Sequence, residues 1–406
     1  MIKRVFIILF CGALVLGAGA ACSTVEQPSA DGSVTVTFRT GEPATRAGAV
    51  GDGAVDDGGG IAVSEGVPDL IILIADAESG IIKKRYAPLA TDGVTITPSL
   101  PGTNATEVSA SFTWGNTPGE GVYTVYALAN IHGMGNLSIA EGEPDWATMG
   151  NVSGLDDLQF AALSDNTKPE VAGYRMPLSA KGTLEVRKNA STSKYNGLVE
   201  LKMLRCVAKV QLHFKNLTGE VLNLYDCKLT LHDMNPSTGY LFPHDPDFVS
   251  GSYRDHTTAG KNLLKIGKTE SPKQGDVDGR MLMGDYDAGP PVVDNRTLAA
   301  LDEVLLFPST APWKTTPSKG YRYLCDISFR IPTGETYDPS DDSTYEPKEY
   351  FNLPIHDSRS KDILSLSRNQ FLQIETTISL KGAEFDVSFN FIVNDWVPKT
   401  EQVIFH

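Results

Sequence analysis

Cysteine is scarce in this chain: five among 406 residues. Two of them, Cys11 and Cys22, belong to a leader-like beginning. Cys206, Cys227 and Cys325 remain, an odd number, each inside an apolar strand-like run. That argues against a disulfide framework and for buried thiols, with a Cys206–Cys227 bridge between neighbouring strands left open. Helical periodicity is also missing, since no long apolar heptad or 3.6-residue stripe occurs. Positive charge is short as well. With 35 Lys and Arg against 50 Asp and Glu, the net charge of −15 argues against nucleic acid or an acidic membrane surface as partner.

The usual signs of catalysis are equally thin. The seven histidines (His132, His213, His232, His244, His256, His356 and His406) show no paired spacing of the kind zinc sites use. Ile266-Gly267-Lys268-Thr269 hints at a phosphate loop, but Asn262 stands where the first glycine is required, and no strand-to-helix context surrounds it. Ser191 and Lys194 satisfy S-x-x-K within a Ser/Thr-rich linker. Asp338, Asp341, Asp342 and Glu346 offer oxygen ligands, yet no glycine sits at the turn a calcium loop needs, so a solvated acidic loop is the better reading. No local motif pairs a nucleophile with a base. The expectation is a non-enzyme without cofactor.

What is present is strand and turn. With 38 Gly, 24 Pro and 41% hydrophobic residues, the chain is globular and turn-rich, and long enough for two cores. Its organising stretch is Ser33–Ala49. Val34, Val36 and Phe38 alternate with Thr35, Thr37 and Arg39, the period-two pattern of a half-buried strand. Gly41 and Pro43 stop it, Arg46 stands alone among small residues, and AGAVGDGAVDDGGG follows, which has too little side chain to pack. A strand fit for a core is thus tied to the rest by a tether that carries a trypsin-like cleavage site at Arg46-Ala47. The alternative is an ordinary first strand followed by a loop that is never cut.

Before it, Lys3 and Arg4 precede an uncharged run from Val5 to Ala21, with Gly19-Ala20-Ala21 ahead of Cys22. This reads as a signal peptide over 1–21, and Cys22 stands where a bacterial lipoprotein would be acylated. Cleavage at an Ala-x-Ala site with Cys22 incidental is the other possibility.

Further along, Pro68–Asp76, Gly121–Gly133 and many alternating segments after Leu198 read as strands, with Leu198–Asn216 taken as one unusually long strand. Glu141–Asn166 is the best place for a helical insertion. The polar linker at 188–197 marks a boundary, giving an N-terminal β-sandwich over 47–193 and a C-terminal one over 194–406.

Several segments together resemble the fimbrillin family of Bacteroidetes, the lipoprotein-derived subunits of the major fimbrial type. They are the leader with Cys22, Thr45-Arg46-Ala47, Tyr123–Asn130, Arg175-Met176-Pro177, Arg205-Cys206-Val207-Ala208-Lys209, Ser367-Arg368-Asn369-Gln370-Phe371 and Asn394-Asp395-Trp396. Cys206 within its strand motif, and Phe371 where the family more often has Tyr, depart from the pattern. The resemblance implies an all-β protein of two transthyretin-like antiparallel β-sandwich domains in tandem, preceded by a lipidated propeptide over 22–46 that carries an exchangeable first strand. It implies a precursor anchored by its lipid in the outer membrane and cut after Arg46 by an Arg-specific surface protease. The strand bearing Val34, Val36 and Phe38 would then leave, and the slot be filled by the terminal segment of another copy or a sister subunit. In this chain that donor is Lys399–His406, with Val403 and Phe405 on one face; an ordinary last strand is the alternative. The expected product is an adhesive fimbrium at the cell surface, its host or bacterial ligand unspecified. The other reading is an uncut anchor or tip, or a monomeric lipoprotein that binds a glycan or protein.

Overall fold

The computed structural model describes residues 33–40, 61–64, 67–98, 104–105, 107–113, 115–132, 139–140, 142–161, 176–245, 247–249, 253–259, 263–267, 298–301, 304–306, 309–310, 313–316, 320–357 and 361–395. Cys22, Arg46, Ala47, Val403 and Phe405 lie outside the described residues. The protein is all-β.

The principal strands of the first half are β1 (Val34–Thr40), β2 (Leu70–Asp76), β3 (Ile82–Ala87), β4 (Ala90–Thr91) and β5 (Val94–Pro98), then β6 (Glu107–Phe112), β7 (Gly121–Ala129), β8 (Leu178–Lys188) and β9 (Tyr195–Arg205). They are hydrogen-bonded in the order β4-β3-β2-β7-β8-β9-β1-β6-β5. The path folds back on itself at β8 and β9, which pair only at their two ends, Leu178–Ser179 with Arg205–Leu204 and Arg187–Lys188 with Asn196–Tyr195. Between those ends Gly182 passes so close to Leu201 that a Cβ on it would lie 2.3 Å from a leucine methyl. The two halves of the path therefore face each other over one apolar core, in which Ile72, Ile74 and Val125 meet Val36, Phe38 and Leu201.

The second half contains β10 (Ala208–Asn216), β11 (Leu222–Pro236), β12 (Tyr253–Ala259), β13 (Leu324–Pro332), β14 (Tyr345–Pro354), β15 (Gln370–Lys381) and β16 (Glu384–Asp395). One sheet runs β10-β15-β16, with the short strands Leu298–Ala300 and Val304–Leu306 along the other side of β10; the facing sheet runs β12-β11-β13-β14. Phe214 and Phe329 pack edge-on with centroids 5.3 Å apart, and Tyr350 and Phe389 do so at 4.8 Å, joining the two sheets.

Three expectations change. Leu198–Asn216 is not one strand but β9 and β10 with Cys206-Val207 between them. β9 pairs with β8 and β1, so the change of sandwich falls after Arg205 and not at 193–194. The inward positions slip in phase there, from Leu201 and Met203 to Ala208, Val210 and Leu212. Second, the sandwiches are not wholly antiparallel, because β1 runs parallel to β9, and β10 parallel to β15. Third, residues 142–161 carry a single 3-10 turn at Leu155–Asp157 and a short strand in place of a helix. Asp145 and Asn151 bond backbone amides two residues on, at 3.1 and 2.7 Å, which competes with helix formation. The acidic loop is exposed, and in it the Asp338 and Asp341 carboxylates close turns by accepting from the Ser340 and Ser343 amides. Cys206, Cys227 and Cys325 are free, and burial pushes each thiol up, away from the reactive thiolate.

A third core joins the sandwiches. Tyr126 of β7 meets Phe242 edge-on at 5.0 Å, and Cys206, Val207, Leu241, Leu305 and Phe371 share the same cluster. At its centre is buried Arg368. Its guanidinium grips Asp247 through two bonds of 2.7 and 2.6 Å and donates to the Ser179 hydroxyl at 2.9 Å and to the Phe242 carbonyl at 2.9 Å. Next to it, Arg205 donates to the Asn369 side chain at 2.7 Å. Ser179 and Arg205 belong to the first sandwich, Arg368 and Asn369 lead into the second. Replacing Arg368 by Met leaves a partly exposed carboxylate and the carbonyls of Tyr240 and Phe242 without their donor, so urea unfolding should show a loss of about 1–3 kcal/mol.

Candidate functional site

The feature that stands out is the position of β1. It is an interior strand: all seven residues pair with Gly197–Met203 of β9, and Val34–Arg39 pair with Phe112–Glu107 of β6. Its alternating sequence divides into two rows. Val34, Val36 and Phe38 point into the core and are fully buried, and Thr40 continues that row at 7% exposure. Thr35, Thr37 and Arg39 make the outer row. The Thr35 and Thr37 hydroxyls lie 3.3 and 3.4 Å from those of Ser111 and Ser109 on β6. Arg39 sits between Glu107 of β6 at 3.3 Å and Glu200 of β9 at 2.9 Å.

The outer row is half exposed, so its ion pairs hold little energy. The inner row carries the weight. Three side chains taken fully from water contribute about 5–9 kcal/mol at about 1.5–3 kcal/mol each, which is comparable with the whole net stability of a domain. Among the described residues the hairpin β5–β6 joins the sheet through β1 alone. Taking β1 away would therefore leave two facing strand edges, β6 and β9, and an apolar slot between them floored by Leu184, Val125 and Ile74. Unpaired edges beside exposed apolar side chains are a template for another strand.

Val34, Val36 and Phe38 are thus brought together as one face. The outer row was not singled out as a site in the sequence, since alternation does not show that Arg39 faces Glu107 and Glu200. The Arg205–Asn369 and Arg368 contacts were not assigned either. Nothing in the sequence pairs residues so far apart, though both arginines lie in the segments that carry the resemblance. Among the described residues no group of His, Cys, Asp or Glu is arranged to hold a metal ion.

No family model matches the chain, and no curated protein matches it. Solved structures align over most of its length. A candidate cell adhesion protein from Parabacteroides distasonis has a TM-score of 0.47 at 10% identity, covering 92% of this chain and 98% of its own. A fimbrilin, fimA, from Porphyromonas gingivalis has 0.44 at 10% identity, covering 91% and 99%. The tip fimbrial protein Mfa3 from Porphyromonas gingivalis, truncated at its C-terminus, has 0.43 at 12% identity, covering 90% and 100%. At such identities, and at TM-scores this low, the likeness does not decide what this chain does.

The two rows make a measurable contrast. Phe38→Ala should destabilise the protein by about 3–5 kcal/mol in denaturant unfolding, whereas Arg39→Ala should cost no more than about 1 kcal/mol.

Proposed function

We propose that this chain is a structural subunit of a cell-surface fimbrium that supports adhesion and polymerises by exchanging its first strand. The observation that carries the reading is the interior place of β1, ahead of residues 41–60 with their lone Arg46. A strand buried on both edges near the start of a chain, followed by a glycine-rich tether with one basic residue, is a plug that a single cut can free. While the tether is whole, the plug is held at high effective concentration and the precursor stays closed. After cleavage between Arg46 and Ala47 by an Arg-specific surface protease, β1 becomes a separate peptide held by its contacts alone. It can then be displaced by a strand of another subunit that supplies the same burial.

In this reading Cys22 carries a lipid that holds the precursor at the outer membrane, and Val403 and Phe405 fill a neighbour's slot. Partners are other copies or sister subunits, the protease, the membrane before cleavage, and a surface ligand that adhesion requires. The role is structural, with no chemistry at the slot.

Arg46→Ala tests it. The variant should accumulate as a lipidated monomer at the outer membrane, while the unsubstituted protein appears at the surface with Ala47 as its first residue. Fibres of normal length from the variant would contradict the proposal. A mature protein that keeps lipidated Cys22 would point to an uncut anchor or tip.

A further inference from the structure

Away from the first strand, one histidine of the second sandwich stands between two breaks in its sheet. The pairing of β11 with β12 skips at His232: Leu231 is level with His256, but the next matched residues are Asn235 and Arg254. His232, Asp233 and Met234 therefore stand against the single residue Asp255. On the other side the pairing of β13 with β14 skips between Cys325 and Ile327, so Phe351 and Asn352 stand against the single residue Asp326. Both breaks are bulges. Asp233 at φ 48° and Asn352 at φ 54° lie in the left-handed region that Asp and Asn adopt more readily than most residues.

Each bulge is closed by its aspartate in the same way. Asp255 Oδ1 accepts from the Asp233 amide at 2.9 Å, and Asp326 Oδ1 accepts from the Asn352 amide at 2.7 Å. The second oxygen of each carboxylate faces the His232 ring. Asp255 Oδ2 lies 3.3 Å from Nδ1, and Asp326 Oδ2 lies 3.0 Å from Nε2. One row, made of Asp255, His232, Asp326 and the Asn352 amide, thus crosses β12, β11, β13 and β14. We infer that His232 is a pH-operated clamp: as the imidazolium it holds both bulge caps, and as the neutral ring it lets go of Asp255 and loosens the edge strand β12.

The number of protons on the ring decides this. An imidazolium donates from both nitrogens, whereas the neutral ring donates from one and turns a lone pair towards the other carboxylate. The Asp326 side chain is 25% exposed and that of Asp255 56%, so water screens Asp326 less and the neutral ring keeps it. β12 is the strand affected, because it is the edge of its sheet and pairs with β11 alone among the described residues. The charged groups around the ring come from three strands besides its own. β12 presents Asp255 and β13 Asp326. β11 adds Asp233 directly after His232 and Lys228 four residues before it, and β14 adds Glu349 opposite Ser328. His256 pairs with the core residue Leu231 and belongs to the other face of the sheet.

Partial burial lowers the pKa of His232, but Asp326 and Asp255 more than restore it, so it stands above the ordinary histidine value. A histidine raised in this way adds its stability in full below about pH 6.5, the value in an unfolded chain. It loses that contribution as the pH climbs through the folded value. The outer sheet of the second sandwich is therefore tightest in mild acid and looser on the alkaline side of neutrality. β1 takes no part, so the clamp works whether or not the first strand is exchanged.

Amide hydrogen exchange of the full-length protein between about pH 5.5 and about pH 8.5, each rate divided by its intrinsic value, tests the clamp. Segments 232–236 and 253–256 should lose about two- to ten-fold of their protection over that range, the scale of one or two partly exposed ion pairs. β15 should keep its own. His232→Gln should abolish the pH dependence of both segments, and Asp255→Asn should abolish that of 253–256. Asp326→Asn should move the midpoint down towards pH 6.5. Melting in mild acid shows which variants fold; if His232→Gln does not, the two aspartate variants carry the test. Protection that stays constant across the range, or that falls as steeply in the variants as in the unsubstituted protein, would overturn the inference.

Discussion

Phe38, with Val34 and Val36, fills a gap in a sheet that the remaining strands do not close. β1 is parallel to β9 and antiparallel to β6, among the described residues it is the only strand paired with both, and the hairpin β5–β6 is attached to the sheet through it. A small domain normally hides such dependence by placing its first strand at an edge, where loss costs one row of hydrogen bonds. Here the first strand is interior, and its loss exposes two edges and the core at once. The three side chains it buries stand for a share of burial comparable with the whole net stability of a domain.

That openness is confined to one half of the molecule. The second sandwich has its own core, in which Leu212, Phe214, Leu229 and Phe329 are buried without any contribution from β1. Between the two halves, the cluster around Phe242 and Phe371 and the polar grip of Arg368 on Ser179 and Asp247 tie the end of β8 to the start of β15. The junction thus reaches the first sandwich through Ser179 of β8 and through Arg205 at the end of β9, whose side chain donates to Asn369.

Alternation made β1 legible, because side chains on a strand alternate between faces whatever its neighbours are. It reported which residues are buried and left open against what. The parallel partnership of β1 with β9 could not be read, since Tyr195–Arg205 lies far along the chain and looked like the opening of the next domain. The phase slip at Cys206-Val207 was present in the sequence, but two buried residues in succession read as a continuation of an apolar run. The failed helix at 142–161 has a local cause, in that Asp145, Asn151 and Gly154 favour turns over helix. Arg368 was visible only as part of a motif. Its meaning depends on the carbonyls of Tyr240 and Phe242, which carry no side-chain signature.

The central claim is that β1 is a replaceable occupant of its own fold, and amide hydrogen exchange along β6 and β9 tests it most directly. In the uncut precursor the amides of both strands that face β1 should be strongly protected, since opening them requires the loss of three buried side chains. After cleavage at Arg46 and removal of the released peptide, protection should fall on those two strands while β11, β13 and β15 keep theirs. It should return in the assembled fibre. Protection on β6 and β9 that is unchanged in the cut monomer, or that fails to recover in the fibre, would contradict the account.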